Sequence, residues 1–108
     1  MNRLLRALLP VLALPLAAAA PAGQIIAEHG NGNGGPACVT CHGPNLHGNA
    51  TIGAPRIAGL PAAEVLARLA HYAGPDGHNA MMRMVATGLT PGERQAVAAY
   101  LASLPPAR

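Results

Sequence analysis

The sequence predicts an all-α chain of short helices joined by long loops, and three observations carry that expectation. Val65, Leu66, Leu69 and Tyr72 fall at i, i+1, i+4 and i+7, which gathers them on one face of a helix. Thr90-Pro91-Gly92-Glu93 reads as a helix start, with an N-cap threonine, proline at the first position and a glutamate that completes a capping box. No strand pattern surrounds the only two cysteines, and the stretches between the periodic segments are broken by glycine and proline.

Taken in order, the chain opens on Met-Asn-Arg-Leu-Leu-Arg, an apolar run from Ala7 to Leu16, and an alanine-rich tail ending at Ala22. A basic start, an apolar middle and a small-residue end are the parts of a secretory signal. The competing reading is an uncleaved anchor, but Pro10 and Pro15 interrupt the apolar stretch and no stop-transfer flank follows it. Residues 1–22 are therefore expected to be a cleaved signal, cut after Ala20 or Ala22, and residues 23–108 the domain. Gly23 to His29 is expected to be a short helix with Ile25 and Ile26 facing inward and Pro21 near its start. The glycine- and asparagine-rich residues 30–36 read as a flexible loop, and residues 43–59 as a second loop without periodicity. Pro61 begins the middle helix, at a position where its missing N–H costs nothing, and Gly74-Pro75-Asp76-Gly77 ends it. A short apolar segment from Met81 to Thr87 is closed by Gly88. The last helix buries Val97, Tyr100, Leu101 and Leu104 and stops at Pro105-Pro106.

Composition narrows the function. The formal charge is +3, but Arg3 and Arg6 lie in the predicted signal, which leaves five arginines against four acids. With no basic face and no interleaved aromatics, nucleic acid is not an expected partner. The chain has no Phe and no Trp, and only Tyr72 and Tyr100 carry aromatic rings. A domain this short and rich in alanine and glycine needs another source of apolar volume.

Cys38-Val39-Thr40-Cys41-His42 offers one. Two cysteines separated by two residues, followed directly by histidine, is the spacing of c-type haem attachment. Across one helical turn both sulfurs point the same way, so each can add to a neighbouring vinyl group, and His42 then ligates the iron. A redox dithiol would expect a βαβ setting. A structural zinc site would expect four ligands, and there is no third cysteine.

A second ligand is sought among the methionines, which outside the first residue occur only at Met81, Met82 and Met84. In an ordinary domain such a cluster would be core filler. Beside a haem, a thioether is a common sixth ligand that favours Fe(II) and raises the potential.

These motifs resemble those of class I cytochromes c of the small bacterial periplasmic kind. The chain is particularly similar to the halves of dihaem periplasmic cytochromes and to the cytochrome subunit of flavocytochrome c sulfide dehydrogenases. The similar stretches are residues 36–43, 55–59, 79–90 and 97–101, in the same order. The resemblance implies a small cytochrome c fold, three to five short helices and long loops wrapped around one covalently bound haem. It implies Met82 as the axial thioether, seven residues before Leu89, with Met84 the runner-up and Met81 third. It also implies that the carbonyl of Pro55 accepts the N–H of His42, which fixes the ring and its basicity. Two positions depart from the family: Ala27 stands where the first helix carries an aromatic, and Glu64 where a tyrosine is usual.

The cofactor-binding set expected from the sequence is thus Cys38, Cys41, His42, Met82 and Pro55. His29, His47, His71 and His78 read as solvated side chains, with His71 the one nearest to a propionate role and Arg56 or Arg83 as ion-pair candidates. The expected function is a periplasmic one-electron carrier, either a free shuttle or the cytochrome subunit of a dehydrogenase. Its expected partners are redox proteins, namely a dehydrogenase, an oxidase or another cytochrome. The alternatives are a haem enzyme or gas sensor with an open sixth position, and a haem-free metal or dithiol module.

Overall fold

The computed structural model describes residues 16–106, with side chains from residue 21 onward. Residues 1–15 of the predicted signal lie outside the described residues. The described chain is helical: α1 (Leu16–His29), α2 (Cys38–His42), a 3-10 turn (Ala50–Ile52), α3 (Ala62–Ala73), α4 (Ala80–Gly88) and α5 (Pro91–Ser103). The sole β feature among these residues is an isolated bridge between Asn49 and Ala54.

α1 crosses α5, and small residues make the crossing. Gly23 and Ala27 are buried, one helical turn apart, and a Cβ on Gly23 would overlap the Ala96 carbonyl oxygen and stand 2.8 Å from Tyr100 Cβ. Only a residue without a side chain lets the two backbones meet there. This overturns part of the sequence reading of α1. Ile26 is half-buried against the core, but Ile25 is 61% exposed, because the Gly23–Ala27 stripe and not the isoleucine pair faces α5. Pro21 is also inside the helix and not at its start. It removes one amide donor, and the surrounding alanines, the strongest helix formers, carry the helix through it.

α5 starts as its sequence dictates. Thr90 Oγ1 accepts the Glu93 amide at 3.1 Å, and a Glu93 carboxylate oxygen accepts the Thr90 amide at 2.9 Å, with Pro91 in the first turn. Val97 and Leu101 are 2% exposed, while Tyr100 and Leu104 are half-buried against the same core. In α3, Val65 and Leu69 are buried and Leu66 and Tyr72 pack beside them, but Pro61 serves as the N-cap in an extended conformation, one residue before the helix. α4 extends the expected apolar segment into a full helix capped by Asn79, whose Oδ1 accepts the Met82 amide at 2.9 Å.

Neither loop is slack. Asn31 Nδ2 donates to the Gly88 carbonyl at 2.8 Å and to Glu93 Oε1 at 2.9 Å, which ties the glycine-rich segment to the junction of α4 and α5. The second loop is held at its base by Leu46, which is 2% exposed and sits at φ 61°. A left-handed leucine costs about 1–3 kcal/mol. Its carbonyl accepts both the Ile57 amide, at 2.9 Å, and the Ala58 amide, at 3.0 Å, and its side chain fills the core, which offsets that strain. Gly59 N–H then bonds the Leu101 carbonyl at 2.8 Å and anchors the end of the loop to α5.

Candidate functional site

α2, the second loop, α3, α4 and α5 enclose a cleft of about 330 Å³. Cys38, Cys41 and His42 reach it from α2, Pro55 from the loop, Val65 and Leu69 from α3, and Met82 from α4. Its lining is otherwise apolar, apart from Arg68, Tyr72 and Asn79.

His42 is the one polar residue buried in the described chain, at 8% exposure. A buried imidazole needs a partner for each nitrogen that faces protein. His42 Nδ1 lies 2.7 Å from the Pro55 carbonyl oxygen, which can only accept, so Nδ1 carries the proton. In the neutral tautomer this contact selects, Nε2 holds the lone pair. Three backbone bonds hold this pair. Gly48 N–H donates to the His42 carbonyl at 2.8 Å, and the reciprocal bonds between Asn49 and Ala54, at 2.8 and 3.0 Å, close the loop just before Pro55. Gly48 has φ +101°, and a Cβ there would come within 2.9 Å of both the Ala54 oxygen and the Arg56 nitrogen. A glycine is therefore required where the loop passes back over itself.

Cys38 and Cys41 are both free and half-buried. Burial pushes the Cys38 thiol above its usual range, partly countered by its backbone hydrogen bond, so it stays protonated at neutral pH. The methionines separate by helical geometry. Met82 is half-buried and lines the cleft with Val85, whereas Met81, at its edge, and Met84, outside the lining beside Gly34, are both 47% exposed. Two residues along a helix is 200° around its axis, so Met82 and Met84 cannot share a face.

Of the other candidates, His29, His47, His71 and His78 are all exposed, and no group of three or more metal-binding side chains occurs among the described residues. Arg83 is committed to backbone carbonyls at the end of α3. The cation that sequence reasoning passed over is Arg68, which borders the cleft and pairs with Glu64 at 3.0 Å. No helix among the described residues is long and apolar enough to cross a membrane.

A family model described as cytochrome c matches residues 27–105. Among curated proteins, the thiosulfate dehydrogenase electron acceptor of Stutzerimonas stutzeri (strain A1501) is 37% identical over 95 residues, covering 87% of this chain and 44% of that protein. Cytochrome c4 of Azotobacter vinelandii is 34% identical over 76 residues, covering 67% of this chain and 36% of the relative. The chain thus spans less than half the length of these curated relatives. Among solved structures, reduced recombinant cytochrome c4 from Pseudomonas stutzeri superposes with a TM-score of 0.73 at 32% identity, over 82% of this chain and 49% of that one. Thiosulfate dehydrogenase (TsdBA) from Marichromatium purpuratum gives 0.73 at 35% identity, over 86% of this chain and 19% of that one.

Proposed function

The chain belongs to the cytochrome c family, whose members carry covalently bound c-type haem, and on that premise we propose that it is a periplasmic one-electron carrier with His42 and Met82 as axial ligands. The observation that carries this reading is the pairing of His42 Nδ1 with the Pro55 carbonyl at 2.7 Å inside an apolar cleft shared with two cysteines and a thioether. The residues present fit a tethered porphyrin. The cleft offers apolar walls for a flat ring, one neutral imidazole nitrogen, and soft sulfur from another helix. Haem iron held there supplies a one-electron Fe(III)/Fe(II) couple.

The chain's own residues do the rest. Cys38 and Cys41 would hold the porphyrin through two thioethers, each arising by addition of an S–H across a vinyl double bond with no net oxidation. Pro55 holds the His42 ring in one orientation and draws on its Nδ1 proton, which raises the basicity of Nε2. Asn79 fixes the helical turn that carries Met82. The apolar lining would limit water at the iron, and His42 and Met82 together would occupy the positions that a substrate would need.

The decisive experiment is expression in cells competent for cytochrome maturation, followed by intact mass and a ferric spectrum. A mass increased by one haem, together with a far-red sulfur-to-iron band that Met82→Ala abolishes and Met84→Ala leaves intact, is expected. A colourless product with the mass of the bare chain overturns the reading.

Within the same class, the chain can serve as an electron-accepting subunit of a dehydrogenase. The names of its relatives favour this over a free shuttle, since two of the curated proteins it resembles are thiosulfate dehydrogenase electron acceptors. Co-purification with a periplasmic oxidoreductase, and reduction by it at stoichiometric ratio, distinguishes the two. The secretory signal and the periplasmic location belong to this proposal as well, and N-terminal sequencing of the mature product tests both.

A further inference from the structure

Arg83 makes a connection that the sequence does not announce. It follows Met82 on α4, is half-buried, and reaches across to the end of α3. Its Nη1 donates to the Ala73 carbonyl at 3.3 Å, and its Nη2 donates to the Gly74 carbonyl at 2.7 Å and the Gly77 carbonyl at 3.5 Å. Ala73 ends α3, where the last carbonyls lack helical amide partners and gather the negative end of the dipole, while the Gly74 carbonyl also accepts the Gly77 amide at 3.2 Å. A guanidinium suits such a site, because its planar fork serves several acceptors and never loses its charge at workable pH.

The position of this clasp gives it a consequence for the cleft. Met82 is fixed by its own amide on Asn79 Oδ1 at 2.9 Å, and the Arg83 amide bonds the Asn79 carbonyl at 2.8 Å. Those bonds hold the turn internally but do not tie it to anything else. The Arg83 side chain does, since it fastens α4 to α3, and α3 supplies Val65 and Leu69 to the same cleft.

We infer that Arg83 is a positioning residue for the Met82 thioether, holding α4 against the end of α3 so that the sulfur resists displacement by an outside ligand. The inference rests on Met82 being an axial ligand. Its test is a titration of the ferric holoprotein with imidazole, following the far-red sulfur-to-iron band. Arg83→Met keeps an unbranched apolar stem but removes the clasp, and imidazole is expected to displace the thioether about tenfold more readily, as befits charge-assisted hydrogen bonds. Arg83→Lys should fall between the two, since an ammonium cannot span the same carbonyls. Arg94 provides the control: its Nη2 donates to the Ala86 carbonyl at 2.8 Å, the same chemistry at the far end of α4. Arg94→Met should lower the melting temperature and leave the imidazole affinity unchanged.

An unchanged affinity in Arg83→Met, or an equal rise in Arg94→Met, overturns the inference. Where Arg83→Met does not fold, Arg83→Lys decides, and a wild-type titration then overturns it. A far-red band that survives Met82→Ala removes the ligand assignment itself. A band lost in Met82→Ala while the Arg83 variants titrate as wild type removes the clasp alone.

Discussion

The crossing of α1 on α5 and the cleft between α2, α3 and α4 solve the same problem in contrary ways. At the crossing, Gly23 and Ala27 bring the backbone of α1 onto Ala96 and Tyr100, and the contact is closed by the chain alone. Around the cleft, apolar side chains such as Val65, Leu69 and Val97 border a space that the chain does not fill. The alanine-rich composition explains both. Small residues permit a very close helix pair, and they leave too little volume to fill a second core. The crossing is closed by backbone and small side chains alone, while the cleft is walled by apolar side chains from several elements.

The largest effect should come from emptying the cleft. In a Cys38→Ala, Cys41→Ala double variant, amides of α3 and α4 should lose hydrogen-exchange protection by orders of magnitude, while the middle of α5 keeps much of its own. Uniform loss across all helices would break the contrast. Next, Gly23→Val attacks the crossing, where any Cβ overlaps the Ala96 carbonyl, and should cost about 3 kcal/mol or more in denaturant unfolding of the holoprotein. Its far-red spectrum should stay unchanged, because the methionine wall is elsewhere.

A smaller effect crosses from backbone to chemistry. Gly48→Ala places a strained residue at φ +101° against Ala54 and Arg56, and should destabilise by about 2 kcal/mol. Shifting the loop also loosens the His42–Pro55 bond, which lowers imidazole basicity, so the reduction potential should rise. A fall would show that the loop acts by another route. The smallest effect is a pH dependence at the α4–α5 junction. The Thr90 amide and the Asn31 side chain hold the Glu93 carboxyl below its usual range. A lowered folded-state value means stability that is present above the unfolded value, near 4.5, and is lost as the pH falls through the folded one. Glu93→Gln should therefore flatten the acid limb of a stability-versus-pH curve, measured by thermal melts.

How far the sequence led depends on the range of the interaction involved. The start of α5 was legible because a capping box is complete within four residues, and the α3 face because its period is local. The helical character of α4 was not. Its cap is an asparagine after a run of polar and glycine residues, and its apolar positions are too few to set a period. The orientation of α1 was misread for a related reason. Ile25 and Ile26 carry the hydrophobicity, but the packing is decided by the absence of a side chain at Gly23, which no apolar pattern registers. The site was legible in parts. The cysteines and histidine form one motif, whereas the contact between His42 and Pro55 spans thirteen residues and was expected only through the family resemblance. Nothing in the sequence flagged the Arg83 clasp, since its acceptors are backbone carbonyls and carry no side-chain signature.

The left-handed turn at Leu46 divides the second loop into two territories. Its carbonyl gathers Ile57 and Ala58, and with the Asn49–Ala54 bridge it seals the stem that delivers Pro55 to the imidazole. Beyond that seal, Ala50 to Ile52 form an exposed tip whose isoleucine borders the mouth of the cleft. Such a tip can change in length or polarity without disturbing the bond between His42 and Pro55, which the stem holds.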